Sequence, residues 1–284
     1  MIDFAKKSDC DDIINVWKQS FDDTDEYIEL FLNEMASDDN TIVFRDAGSV
    51  VAQYFFLDAS IYIGTNIFKV LYIYAAATLP EYRSRGIMSK LIKKGFEIAD
   101  QRSVDYVALS PASESLFDYY AKLGFVKAFN QKVLKLNRRQ LDVMMKEASL
   151  NELTDMFKTR QKALSRYDFL SWDAKALNYA KKENEITNGK FLSTDTGYVL
   201  YKRDLESDLV NVKELCTTGN IGELFYVLME NEDAQTFSFN LPARYPLSKD
   251  DIEIVYTGML KPISESAQMA MEKIDNAYLG ITLG

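Results

Sequence analysis

The stretch "LPEYRSRGIMSKLI", residues 79–92, follows an apolar run, "VLYIYAAAT", and opens an amphipathic segment. Pro80 closes the strand that the apolar run predicts. From Arg85 onward, Ile87, Met88, Leu91, Ile92, Gly95, Ile98 and Ala99 recur on one helical face. Lys90, Lys93, Lys94 and Glu97 fall on the other face, the pattern of a helix packed on a sheet. Two arginines, Arg83 and Arg85, and a glycine, Gly86, therefore sit where a strand becomes a helix. The chain around them carries a net charge of -10. A basic helix start works against the helix dipole and calls for a reason. The first amides of a helix lack intrahelical partners and form an anion site. Gly86 lets an anion approach the backbone, Arg83 and Arg85 add charge-assisted hydrogen bonds, and Ser89 offers a hydroxyl. The arrangement reads as a cradle for an anion.

Outward from this point the elements alternate. Toward the N-terminus lie a short strand at "MIDFAK", two helices, and a hairpin turning at Asp46-Ala47-Gly48. Toward the C-terminus come a buried strand at "VDYVALS", a helix carrying Leu116, Tyr120 and Leu123 that ends at Gly124, and a strand at "FVKAFNQKVLKL". A second unit begins near Arg139 with a similar order. "LDVMMKEA" reads as a strand, "NELTDMFKTRQKAL" and "WDAKALNYAKKENEI" as helices. A hairpin turns at Asp195-Thr196-Gly197, and "DLVNVKELCTT", "AQTFSFNLP" and "DDIEIVYTGML" read as strands around the helix "IGELFYVLMENE". "LPARYPL" reads as a loop. The repeated order predicts a structural duplication. The fold class is α/β (α+β): two units, each a mixed central sheet flanked by helices.

Composition narrows the chemistry. With 284 residues, 47% of them hydrophobic, the chain can fill one large core or two modest ones. It has no histidine, which excludes Ser-His-Asp and Cys-His nucleophilic sites and histidine-based zinc sites. Cys10 and Cys216 have no metal-binding or redox spacing, so no metal is expected. The acidic balance argues against a nucleic-acid partner. No apolar run reaches the length of a membrane span and no apolar leader opens the chain, so a cytoplasmic protein without membrane partners is expected. The loop lacks the Gly-Lys-Ser/Thr ending of a nucleotide-phosphate loop, which argues against a kinase or ATPase.

Two separate motifs in order carry a family resemblance. Arg83-Ser84-Arg85-Gly86-Ile87-Met88 resembles the acyl-CoA pyrophosphate loop of the GCN5-related N-acetyltransferases. In "SPASESLFDYYAKLGF", Tyr120 before Gly124-Phe125 resembles the family's second hallmark. Met88 departs from the pattern, because a small residue is usual there. Ser113 stands where many members carry an Asn that contacts the cofactor. The resemblance implies acetyl-CoA as cosubstrate, held by Arg83, Ser84, Arg85, Gly86, Ile87, Met88 and Ser89, with Ser113 as a further contact. The strand backbone at Ala75, Ala76, Ala77 and Thr78 would meet the pantetheine arm. It implies transfer of an acetyl group to a primary amine on a small molecule or peptide, with Tyr120 returning a proton to the leaving thiolate. The resemblance is to a tandem type with a degenerate second domain, distantly similar to the enhanced intracellular survival family. The expected domains are 1–138 with the acetyl-CoA site and 139–284 without it, in a monomer or homodimer. In tandem members a C-terminal carboxylate can enter the site, which here would be Gly284. Asp22, Asp23, Asp25, Glu26 and Glu29 lie in the region that borders the amine site in the family. A non-catalytic acyl-CoA-binding or regulatory module is the alternative. At "CTTGNIGELF" the second unit has Gly219 but neither arginine, and no cofactor site is expected there.

Overall fold

The computed structural model describes residues 1–247, 252–274 and 276–283. The chain forms two compact units, and neither is one continuous block. The first holds Met1–Ser60, Ile67–Lys127 and Gly258–Lys273, and the second holds Ile61–Asn66, Ala128–Thr257 and Ile274–Gly284.

In the first unit, β1 (Ile2–Phe4) pairs antiparallel with β2 (Thr41–Asp46). Between them run α1 (Cys10–Lys18) and α2 (Asp25–Glu34). The Thr24 hydroxyl caps α2 by accepting from the Tyr27 amide, so the acidic cluster at 22–26 does open a helix, with a threonine as its cap. β2 turns into β3 (Ser49–Ile63) through Ala47 and Gly48, both at positive φ, 48° and 97°. Such backbone matches the twist of a tight hairpin. β4 (Asn66–Thr78) leads into α3 (Ile87–Gln101), which crosses over to β5 (Tyr106–Leu109). β4 and β5 are parallel, with Val70–Tyr72 facing Tyr106–Ala108. α4 (Glu114–Ala121) follows β5 and leads into Gly124 at φ 90°.

The apolar face of α3 buries Leu91, Ile92, Ile98 and Ala99 against Tyr54, Phe56, Leu71 and Val107. Gly95 lies at the closest approach. A methyl group there would run into the Tyr54 hydroxyl and the Phe56 ring. Both rings are fully buried and lean edge to face at 4.9 Å, so neither has room to yield. Gly95→Ala is expected to destabilise the protein by about 1–3 kcal/mol, the usual cost of overpacking, read as a lower midpoint in urea unfolding.

The second unit starts within β6 (Val126–Asn137) and continues through α5 (Arg138–Asp142), α6 (Met156–Leu164), β7 (Phe169–Ser171) and α7 (Ala174–Ile186). Next come β8 (Gly189–Ser193), β9 (Gly197–Asp204), β10 (Leu209–Thr217), α8 (Ile221–Asn231) and β11 (Thr236–Pro242). β8, β9 and β10 form an antiparallel meander, and α8 crosses from β10 to the parallel β11. This repeats the order of β2, β3, β4, α3 and β5. The end of the chain is held by a buried ion pair. Arg160 and Glu214 are 1% and 0% exposed and 3.1 Å apart, and the Glu214 carboxylate accepts from the Ile281 amide.

β12 (Ile252–Pro262) and α9 (Glu265–Met271) complete the fold. Met259–Pro262 pair antiparallel with Leu109–Tyr106 of β5. The Tyr106 hydroxyl donates to the Ala267 carbonyl at 2.7 Å, and the Ser264 hydroxyl to Asp105 at 2.8 Å. These bonds assign residues 258–273 to the first unit. In the second, Gln131–Asn137 of β6 pair with β11. The units thus differ from a cut at residue 138.

"LDVMMKEA" is not a strand. Asn137 and Gln140 form a reciprocal capping box that starts α5, and the chain beyond Asp142 is irregular. "NELTDMFKTRQKAL" is helical only from Met156, because the Asp155 carboxylate caps that turn by accepting from the Lys158 amide at 2.9 Å. β7 and α9 are too short to leave a period in the sequence. Among the described residues no helix is long and apolar enough to cross a membrane.

Candidate functional site

The site grows out of the junction between β4 and α3. β4 ends at Thr78, and Pro80–Tyr82 form a single 3-10 turn. Ser84 and Gly86 then take φ values of 61° and 71°. Gly86 is the N-cap of α3; no side chain caps this end, and no acidic residue lies in the first turn. The first intrahelical bond runs from the Lys90 amide to the Gly86 carbonyl at 3.2 Å. Left-handed backbone costs an L-residue about 1–2 kcal/mol, which is what glycine avoids here. A Cβ at Gly86 would have no atom within 4 Å. The helix end is therefore uncapped and open on the side facing the cleft, which fits an anionic ligand.

A cleft of about 510 Å³ opens there. Ala76, Ala77, Thr78, Arg83, Ser84, Gly86, Ile87, Met88 and Tyr120 all line it. Ala75, Arg85, Ser89 and Ser113 stand outside the lining. Ala75 has φ 47° in mid-strand. The paired register with β5 ends at Tyr72 and Ala108, while β4 runs on to Thr78. The end of β4 thus carries backbone groups beyond its pairing with β5. Arg83 donates from Nε to the Thr78 carbonyl at 2.9 Å and from Nη2 to the Gln19 carbonyl at 3.3 Å, fastening the loop to both flanking elements. The exposed Arg85 stacks on the Tyr82 ring at 5.1 Å. Ser113 caps nothing by side chain, and its hydroxyl lies 3.1 Å from that of Ser115. Met88 is half-buried, packing on the core while lining the cleft.

Tyr120 sits on α4 against Tyr119 and Phe125, edge to face at 5.1 and 5.8 Å. Among the described residues its hydroxyl has no hydrogen-bond partner. Burial pushes the phenol up to about 12, because the phenolate would lose its hydration. Tyr120 is thus a protonated phenol at neutral pH, placed on a cleft wall.

Ser20, Phe21, Tyr82, Leu116 and Tyr119 also line the cleft. Phe21 had the spacing of an α1 core residue, but α1 ends at Lys18 and Phe21 lies in the connection. Only the adjacency of Tyr119 to Tyr120 could have flagged it. No carboxylate lines the cleft among the described residues. Asp23 accepts from the Trp17 indole at 2.8 Å and Asp25 pairs with Lys18 at 2.5 Å, while Asp22, Glu26 and Glu29 are exposed. Gly284 lies outside the described residues.

The matching junction in the second unit, between β10 and α8, is closed. The Asn220 side chain caps α8 by accepting from the Gly222 amide at 2.8 Å. Glu223 occupies the first turn, 2.6 Å from Lys146, and the Lys146 amide donates to the Gly222 carbonyl at 3.0 Å. A methyl group at Gly222 would strike the Met144 carbonyl. A cap, a carboxylate and a packed segment stand where the first unit has open amides.

Residues 1–128 match the family model "Acetyltransferase (GNAT) domain". No curated protein matches the sequence. Among solved structures, a GCN5-related N-acetyltransferase from Kribbella flavida is similar with a TM-score of 0.76 at 17% identity, over 94% of this chain and 73% of that one. One from Anabaena variabilis gives 0.74 at 16%, over 94% and 74%. Eis1 from Mycobacterium abscessus gives 0.69 at 12%, over 95% and 75%. These likenesses establish a shared fold. With the matched model, they make residues 1–128 similar to the acetyltransferase domains of the GNAT family.

Proposed function

We propose that the first unit is an acetyl-CoA-dependent N-acetyltransferase acting on a primary amine. The observation that carries this reading is the uncapped α3 N-terminus behind Gly86, opening on the same cleft as the Tyr120 phenol. The amides of Ile87 and Met88 would hold the diphosphate, in a loop that Arg83 fastens to Thr78 and Gln19, and the backbone of Ala76 and Ala77 would meet the pantetheine arm. Acetyl-CoA supplies an activated carbonyl and a thiolate leaving group. As the new C–N bond forms and the C–S bond breaks, Tyr120 gives its proton to the sulfur. Its phenolate then recovers the proton lost by the amine, through water. An alkyl amine has a pKa near ~10.4 and attacks only when neutral. The described residues that line the cleft include no carboxylate, and water is proposed as its proton acceptor. The second unit is proposed to lack a cofactor site.

Release of free thiol from acetyl-CoA, followed with spermidine, an aminoglycoside, lysine and a lysine peptide, tests the reading. Turnover on one of them supports it, and no turnover on any contradicts it. A cleft lining without a carboxylate among the described residues favours a second reading, an acyl-CoA-binding module without catalysis. Tight binding of acetyl-CoA with no thiol release on any amine is the result that reading expects.

A further inference from the structure

The Ser89 and Tyr119 hydroxyls lie 2.9 Å apart. Ser89 stands in the first turn of α3, and Tyr119 directly precedes Tyr120 on α4. Among the described residues this is the one side-chain hydrogen bond joining these two helices. α4 is short, with eight residues and no side-chain cap at its start. Its inner face is held by the burial of Phe117 and Tyr120, with Leu116, Tyr119 and Leu123 partly buried beside them. The Ser89–Tyr119 bond adds a directional tie to α3 one residue from Tyr120. Tyr119 also meets Tyr120 edge to face at 5.1 Å, so displacement of one ring moves the other.

We infer that Tyr119 is a positioning residue: tied to Ser89, it sets the Tyr120 phenol relative to the helix end that receives the diphosphate. The inference rests on the acetyltransferase reading above. It also accounts for Ser89 lying outside the cleft lining, since its hydroxyl is engaged on α4. Neither hydroxyl need touch the cosubstrate. The signature is therefore a loss in turnover with little loss in binding.

The test is a double-mutant cycle on the full chain with acetyl-CoA and the best acceptor of the amine panel. Tyr119→Phe keeps the ring contact and removes the tie, and Ser89→Ala removes its other end. Each is expected to lower kcat about tenfold, as a small misplacement of a reacting group does. The dissociation constant for acetyl-CoA should stay within about twofold of wild type. The double variant should be no slower than either single one. Thermal melting of each variant confirms folding. Wild-type kcat in both single variants, multiplying losses in the double, or a loss confined to acetyl-CoA affinity overturns the inference. A wild-type protein that binds acetyl-CoA but turns over no amine overturns both this inference and catalysis, and one that binds no acetyl-CoA overturns the cofactor assignment as well.

Discussion

Replacing Tyr120 with phenylalanine is expected to lower kcat by about 10²-fold, the low end of what a positioned general acid contributes. Affinity for acetyl-CoA should change by less than about twofold, because the ring remains and only the hydroxyl is lost. Folding should be unaffected, since that hydroxyl bonds to no described residue and its removal leaves no partner stranded. The pH profile gives a second check. Burial raises the phenol to about 12, so the donor is protonated at neutral pH and is lost only as pH rises toward that value. kcat/KM should therefore climb through the alkaline range as the acceptor amine is deprotonated. No falling limb should appear below about pH 10. A falling limb near neutrality would point to a different acid. Undiminished turnover by the phenylalanine variant would remove the phenol from the mechanism.

A chain ending at residue 138 is expected not to fold cooperatively, although it contains every residue matched by the family model. The first unit needs Met259–Pro262 to cover the β5 edge. It needs α9 to receive the Tyr106 hydroxyl, and Ser264 to pair with Asp105. Met259, Leu260 and Ala267 are at most 1% exposed. Losing them strips Met259 and Leu260 from the core, each worth about 1.5–3 kcal/mol when fully buried, and the smaller Ala267 methyl at about 0.8 kcal/mol. It also leaves β5 with unpaired backbone groups. The sum rivals the ~5–15 kcal/mol by which a whole domain is stable. Circular dichroism should show no sharp thermal transition for residues 1–138 and a cooperative one for the full chain. A cooperative transition in the fragment would show that the returning segment is dispensable.

Legibility followed the range of the interactions. The α3 stripe, the turn at Ala47-Gly48 and the Gly124 terminus rest on local periodicity and backbone chemistry, so they could be read from neighbouring residues. The return of residues 258–273 to the first unit could not, because the bonds from Asp105 to Ser264 and from Tyr106 to Ala267 span most of the chain. "LDVMMKEA" looked like a strand because its apolar residues cluster. The capping box upstream, a polar signal at Asn137 and Gln140, decides the local structure instead. In the site, the loop and Tyr120 were visible as motifs. The roles of the side chains were less so. Arg83 reads as a phosphate ligand, yet here it fastens the loop to Thr78 and Gln19. Arg85 lies on Tyr82. Phe21 and Ser20 reach the cleft only through the path of the α1–α2 connection, which no spacing encodes.

The open α3 N-terminus is proposed to bind acetyl-CoA, and its counterpart in the second unit is not. Calorimetric titration of the full chain with acetyl-CoA tests it directly, beside the Gly86→Trp variant, whose melting curve establishes that it folds. One site per chain is expected, filling over roughly the 1 μM to 1 mM range in which enzymes take up their substrates. The indole, built on backbone at φ 71° and directed into open space, should abolish binding. No heat with the wild-type chain, two sites per chain, or undiminished binding by the tryptophan variant would contradict it.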